Sequence, residues 1–220
     1  MKIDKNLWSR TGRDSLSLRM YTFILGMCLL WSLFLVGIGS SITYDLGANF
    51  LISIGSFVGA LFGIVLYSKS KAPTISFVGV SVLSFFMGAG VGPILAYYVL
   101  PSIVTAFTYT LVITFFMVLA GVLLPTFIKK ISGFLFVALL ILLIGYFVEF
   151  IFAVFKIPAV GFRVLDWVAV FIFSAYIWYD FAKALSLPKT LDNAIDASGA
   201  FIIDIVNLFV TLLRIFGKRD

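Results

Sequence analysis

The chain alternates long apolar runs with short polar breaks, and that alternation predicts its elements. After a polar opening at residues 1–19, apolar runs occupy about 20–43, 50–67, 74–98, 102–127, 131–155, 162–185 and 194–216. Each is close to or above the ~20 residues a helix needs to cross the apolar core of a bilayer. The first run is too long for the core of a secretory signal, and no small-residue cleavage site follows it, so it reads as an uncleaved helix. So few residues separate the third and fourth runs that they read as one continuous helical hairpin. In the last run, steps of three and four place Asn193, Asp196, Ala200, Asp204, Asn207, Thr211 and Arg214 on a single stripe, with Ile, Val, Leu and Phe elsewhere. A helix bathed in lipid would not carry that stripe. The expected fold is therefore an all-α integral membrane protein of seven transmembrane helices with the C-terminal helix central. Its parts are a cytoplasmic tail at 1–19, a transmembrane domain at 20–217 and a C-terminal tail at 218–220.

Composition excludes the alternatives. The 220 residues are 62% hydrophobic and 12% charged, with a mean hydropathy of +1.17. Soluble domains are about 45–50% apolar and about 25% charged, and disordered chains are more polar still. Loops this short leave no room for an extramembrane domain. The net charge of +6 sits in loops and at the ends, which is topology signalling and not a nucleic-acid surface. With the N-terminus in the cytoplasm, eleven of the 16 basic residues fall inside and five outside. The basic pair Lys218-Arg219 argues against an odd number of crossings, and a re-entrant last segment would return that end to the cytoplasm. The single cysteine, Cys28, excludes an internal disulfide and reads as a small buried apolar residue.

Small residues predict where helices meet. Gly55, Gly59 and Gly63 recur at every fourth position of the second run, and Ser84, Gly88 and Gly92 do so in the third. Gly88-Ala-Gly-Val-Gly-Pro93 has no preceding strand, so it is not a dinucleotide loop. It reads as a flexible or kinked helix end at which Pro93 removes one backbone donor.

Ionisable groups at membrane depth are costly, and four carboxylates qualify: Glu149, Asp166, Asp180 and Asp204. Asp166, close to a helix start, is expected to reach water. Asp180 and Asp204 are 24 residues apart. A hairpin centred near Asp192 would put them at equal depth on adjacent antiparallel helices. Two such carboxyls can share a proton, bind a cation or be held by a base, or they can form a helix–helix lock without transport. The sequence contains no histidine, so any pH response near neutrality rests on carboxylates. Tyr179-Asp180 resembles the first motif of intramembrane aspartyl proteases, but Ile202-Ile203-Asp204 lacks the Gly-x-Gly-Asp of the second. No Ser-Lys, Ser-His, zinc-ligand or phosphate-loop constellation is present, so no catalytic residue is assigned and no enzyme is expected.

Tyr176-Ile-Trp-Tyr-Asp180 and, 24 residues after Asp180, Asp204-Ile-Val-Asn-Leu-Phe-Val-Thr-Leu-Leu-Arg-Ile-Phe-Gly217 together resemble the C-terminal signature of the Bax inhibitor-1 family, the transmembrane Bax inhibitor motif proteins. Gly88-Ala-Gly-Val-Gly-Pro93-Ile resembles the family as well. The resemblance implies a seven-helix fold and a pH-sensitive calcium leak in which Asp180 and Asp204 sense protons, gate ions and meet calcium at a cytoplasmic-side closure. Some bacterial relatives modulate a membrane-bound AAA protease, which implies the alternative of a non-conducting regulator of membrane proteins. Relatives latch the aspartates with an arginine at the cytoplasmic end of span two. Here that end offers Lys69 and Lys71, and Lys183 lies one turn from Asp180. Glu149 stands about where relatives have an asparagine, so it is a second cation or proton candidate beside Asn207, Thr211 and Arg214 on the polar stripe. No cofactor is implied beyond calcium as ligand or permeant ion. The short, histidine-free chain with short loops suits a prokaryotic member, expected as a monomer in the inner membrane.

Overall fold

The computed structural model describes residues 15–47, 50–155 and 163–218. Most of the predicted tail, together with Lys156 and Arg219 of the charge count, lies outside the described residues. The described residues form eight α-helices: α1 (Leu18–Thr43), α2 (Phe50–Lys69), α3 (Pro73–Leu95), α4 (Leu100–Leu123), α5 (Pro125–Lys130), α6 (Ser132–Val154), α7 (Arg163–Ala184) and α8 (Leu191–Phe216). All but α5 are long and apolar enough to cross a membrane, and they match the seven predicted runs.

The boundaries agree to within a few residues, and the largest difference lies at a proline. The fourth run was expected to continue to residue 127, but α4 stops at Leu123. Leu124 has φ −130° and ψ 50°, because the ring of Pro125 disfavours a helical residue before it. The chain restarts as the short α5, with Pro125 in its first turn. The third and fourth runs are two helices joined by a short connection, as their close spacing led one to expect. Residues 96–99 connect them, Val99 is extended, and Pro101 opens α4.

The helices group into two compact units, and α8 contributes to both. The first comprises Met1–Tyr98 and Ala184–Ile203. In it α3 packs against both α1 and α2. Cβ atoms on Gly88 and Gly92 would strike the α1 backbone at Val36 and Ser40, and one on Gly63 would sit 2.5 Å from the amide of Leu83. Only glycine permits such approach. Gly59 faces the ring of Phe86. Gly55 departs from its row: it is exposed, and a Cβ added there would meet nothing within 4 Å, so it is no packing residue. Pro93 is buried, two residues before α3 ends.

The second unit comprises Val99–Lys183 and Asp204–Asp220. Its core includes Ile128, Leu135 and Ala182, flanked by Trp178 and Tyr179, and Phe127 stacks on Trp178 at 5.6 Å. Phe216 meets Tyr109 and Trp167 edge-on.

Terminal contacts within each unit are those that seven complete crossings would make. In the first unit the Leu16 amide donates to the Lys189 carbonyl at 2.6 Å, so the start of α1 lies beside the α7–α8 connection. In the second, the Lys218 amide donates to Ser102 Oγ at 2.9 Å, and the Val99 amide donates to the Lys218 carbonyl at 3.2 Å. Seven complete crossings put these pairs on common sides, whereas a re-entrant last segment would not. α8 is also continuous over 26 residues, about 39 Å at 1.5 Å per residue. It is the most buried span, with 56% of its apolar window inside the protein against 11% for α2, α4 and α6. Within the stripe itself Asp204 and Thr211 are buried, whereas Asn193, Asp196, Ala200, Asn207 and Arg214 are half-buried, so the shielding expected of it is only partial.

Candidate functional site

The stripe of α8 meets three sets of polar partners. The central one is the aspartate pair. Asp180, four residues before the end of α7, and Asp204 of α8 are hydrogen-bonded to each other through their side chains. Asp204 is only 7% exposed, and its Oδ2 is buried without a hydrogen-bond partner. Two carboxylates cannot hydrogen-bond without a proton, so the contact requires a proton on at least one of the two. Tyr176, one turn earlier on α7, lies close enough to interact with both carboxyls. Lys183, exposed one turn later, acts electrostatically on Asp180 and lies 5.9 Å from the Tyr179 ring. The pair forms as the sequence suggested, but the equal-depth argument for it does not hold. α7 ends at Ala184 and α8 begins at Leu191, so the connection is centred before Asp192. Asp204 lies thirteen residues into α8, whereas Asp180 is four from the end of α7, so the two are not equally spaced from the connection.

The second set lies at the other end of the same two helices and holds opposite charges. Arg214 Nη2 donates to Glu149 Oε1 and Oε2 at 2.7 and 2.9 Å, and its Nε lies 3.2 Å from Asp166 Oδ1. The guanidinium also sits 5.2 Å from the Tyr146 ring, and the Tyr146 hydroxyl donates to Asp166 at 3.5 Å. Asp166 was expected to reach water but is 5% exposed, because the arginine and tyrosine enclose it. Glu149 is likewise paired. Charge-assisted bonds to a planar guanidinium are the strongest of ordinary hydrogen bonds, and they tie α6, α7 and α8 together. The sequence held a signal for this cluster. Glu149 and Asp166 flank one connection, and seven crossings bring Arg214 to that side.

The third set was missed. In the first unit Ser76 Oγ donates to Asp192 Oδ1 at 2.8 Å and is hydrogen-bonded to Asp196 as well. The Tyr21 hydroxyl donates to the Ala184 carbonyl at 3.1 Å, and Lys189 Nζ lies 5.1 Å from the Tyr21 ring while donating to the Leu185 and Leu187 carbonyls. In the sequence Asp192 marks only the hairpin and Asp196 only the stripe. The pairing serine lies on another helix, where no local pattern reveals it.

The remaining candidates separate. Asn207 is half-buried, and its carbonyl accepts from the buried Thr211 hydroxyl at 2.7 Å. Lys69 closes α2 and Lys71 follows it; both are exposed and belong to the first unit. Among the described residues no three Asp, Glu, His or Cys side chains gather as a metal site. Calcium takes about 6–8 oxygen ligands, so Asp180 and Asp204 alone would be only part of a shell.

The family model described as "Inhibitor of apoptosis-promoting Bax1" matches residues 13–220. No curated protein matches the chain.

Proposed function

The chain belongs to the Bax inhibitor-1 family, and on that premise we propose that it is a cation leak pathway, for calcium, gated by protonation of Asp180 and Asp204. The observation that carries this reading is the hydrogen-bonded carboxyl pair at membrane depth, with one Asp204 oxygen unpartnered. A buried group with a missing partner is poised to exchange one. While a proton is shared, the pair carries one negative charge and joins α7 to α8. As pH rises and that proton leaves, two adjacent anions repel and favour either separation of the helices or entry of a cation. As pH falls, the proton returns and displaces the cation. Calcium is cargo here, completing its shell from water and backbone carbonyls as it passes.

Lys183 is the base best placed to trade with the proton, since it already acts on Asp180. Lys69 and Lys71 remain latch candidates, and a lysine makes a weaker latch than an arginine because it lacks the bidentate fork. The positive-inside count supports a cytoplasmic N-terminus and α7–α8 connection, in a membrane we read as a prokaryotic inner one. The reading assigns no catalysis and no resident cofactor.

Calcium flux into proteoliposomes holding only this chain, measured across pH 5–8, tests the proposal. Flux with a pH midpoint that flattens in Asp180→Asn and in Asp204→Asn supports it. No flux at any pH sinks it and leaves the non-conducting regulator, whose sign is co-purification with a membrane-bound AAA protease.

A further inference from the structure

We propose that an apolar groove of the first unit, between α1, α3 and the start of α8, is a binding site for one anionic phospholipid, with an acyl chain in the groove and the phosphate on Arg19. The groove has a volume of about 260 Å³. Phe23, Met27 and Trp31 line one side from successive turns of α1, Phe77 comes from α3, and buried Cys28 and Leu191 lie deeper. A water takes up only ~30 Å³ and needs polar partners, so walls this apolar give water no reason to fill the space. The indole N–H of Trp31 is already spent on Ser81 Oγ at 3.0 Å, and its ring stacks on Phe77, which keeps the wall apolar and fixed. Phe23, Met27 and Trp31 are 55%, 51% and 40% exposed, so the groove opens outward from the protein at membrane depth.

An acyl chain gains little by leaving other acyl chains for this groove, since both are apolar. Any preference for one lipid must come from the headgroup. Arg19 lies in the first turn of α1, exposed, and one turn before Phe23 on adjoining positions of the helix face. It therefore stands at the mouth of the groove, at the level where headgroups lie. Basic residues there attract anionic lipids, and a guanidinium can grip a phosphate with two parallel bonds. Charge complementarity thus selects a lipid of the surrounding bilayer over a second copy of the chain, whose Arg19 would meet its like.

Two measurements on the full chain test this. Native mass spectrometry from micelles with equal amounts of phosphatidylglycerol and phosphatidylcholine should show one phosphatidylglycerol retained, with a preference of about fivefold for a single basic residue near the surface. Arg19→Gln should abolish the preference, Arg19→Lys should keep part of it, and Met27→Trp, which fills the groove, should release both lipids. In vesicles, a variant with Trp8, Trp167 and Trp178 replaced by Phe should have Trp31 quenched more by chain-brominated phosphatidylglycerol than by chain-brominated phosphatidylcholine. Equal retention or equal quenching by the two lipids overturns the site, as does a preference that survives Arg19→Gln. A lipid-free dimer would assign the groove to a second copy instead.

Discussion

The two acidic clusters on α7 and α8 solve one problem in opposite ways. Each places two carboxyls in a protein interior where unpaired anions are costly. At the Arg214 end a fixed cation neutralises: Glu149 receives two bonds of 2.7 and 2.9 Å, and Asp166 lies 3.2 Å from Nε. At the Asp180–Asp204 end no guanidinium arrives among the described residues, and the carboxyls bond to each other. The arginine cannot leave its charge behind, whereas a proton can come and go. The first cluster is therefore suited to holding helices together, and the second to responding to its surroundings.

Substitutions can break this contrast. The largest effect is expected from Arg214→Gln, which leaves Glu149 and Asp166 facing each other without a cation. A loss of about 3 kcal/mol is expected, at the low end for breaking a buried pair because the arginine side chain is 31% exposed. Denaturant unfolding in micelles reads it, and a loss below about 1 kcal/mol would make the cluster ornamental. Glu149→Gln should cost about 1.5 kcal/mol, since Asp166 still pairs the arginine. Its effect should not add to that of Asp166→Asn, because both act through one guanidinium. Asp204→Asn should cost less than about 1 kcal/mol, because the amide donates to an ionised Asp180 where the proton did. That near-neutral stability, set beside a flattened pH dependence of flux, would separate the two clusters in one variant. Lys183→Gln should be smallest, within about 0.5 kcal/mol, with its effect confined to the pH midpoint of flux.

Much of this was legible in the chain, for reasons that differ by residue. The spans follow from apolar length, which the bilayer imposes directly. The α8 stripe follows from helical period, but its burial does not: Asp204 and Thr211 are buried, and the other five stripe residues are half-buried. The break at Leu124 was not read, because the apolar run continues through Pro125 to residue 127 and hides the proline's effect. The partners of the charges were less legible. Arg214 falls on the stripe and in the outside charge count, yet its two acceptors come from α6 and α7, and only the parity of crossings links them. Ser76 gave no signal, because a serine in an apolar helix bonds its own backbone as readily as it serves a distant aspartate. The pairing of Asp180 with Asp204 was anticipated although its spacing argument was wrong, because the cost of two lone buried carboxyls does not depend on where the hairpin turns.

Infrared spectroscopy of the carboxyl C=O stretch tests the central contrast most directly. The wild-type protein, scanned over pH 5–8, should show a band of a protonated carboxyl that weakens as pH rises. The band should be missing from both Asp180→Asn and Asp204→Asn, whose amide replaces the shared proton, and it should survive in Glu149→Gln. A band that persists in the aspartate variants and disappears with Glu149→Gln would place the proton at the arginine cluster and contradict the account.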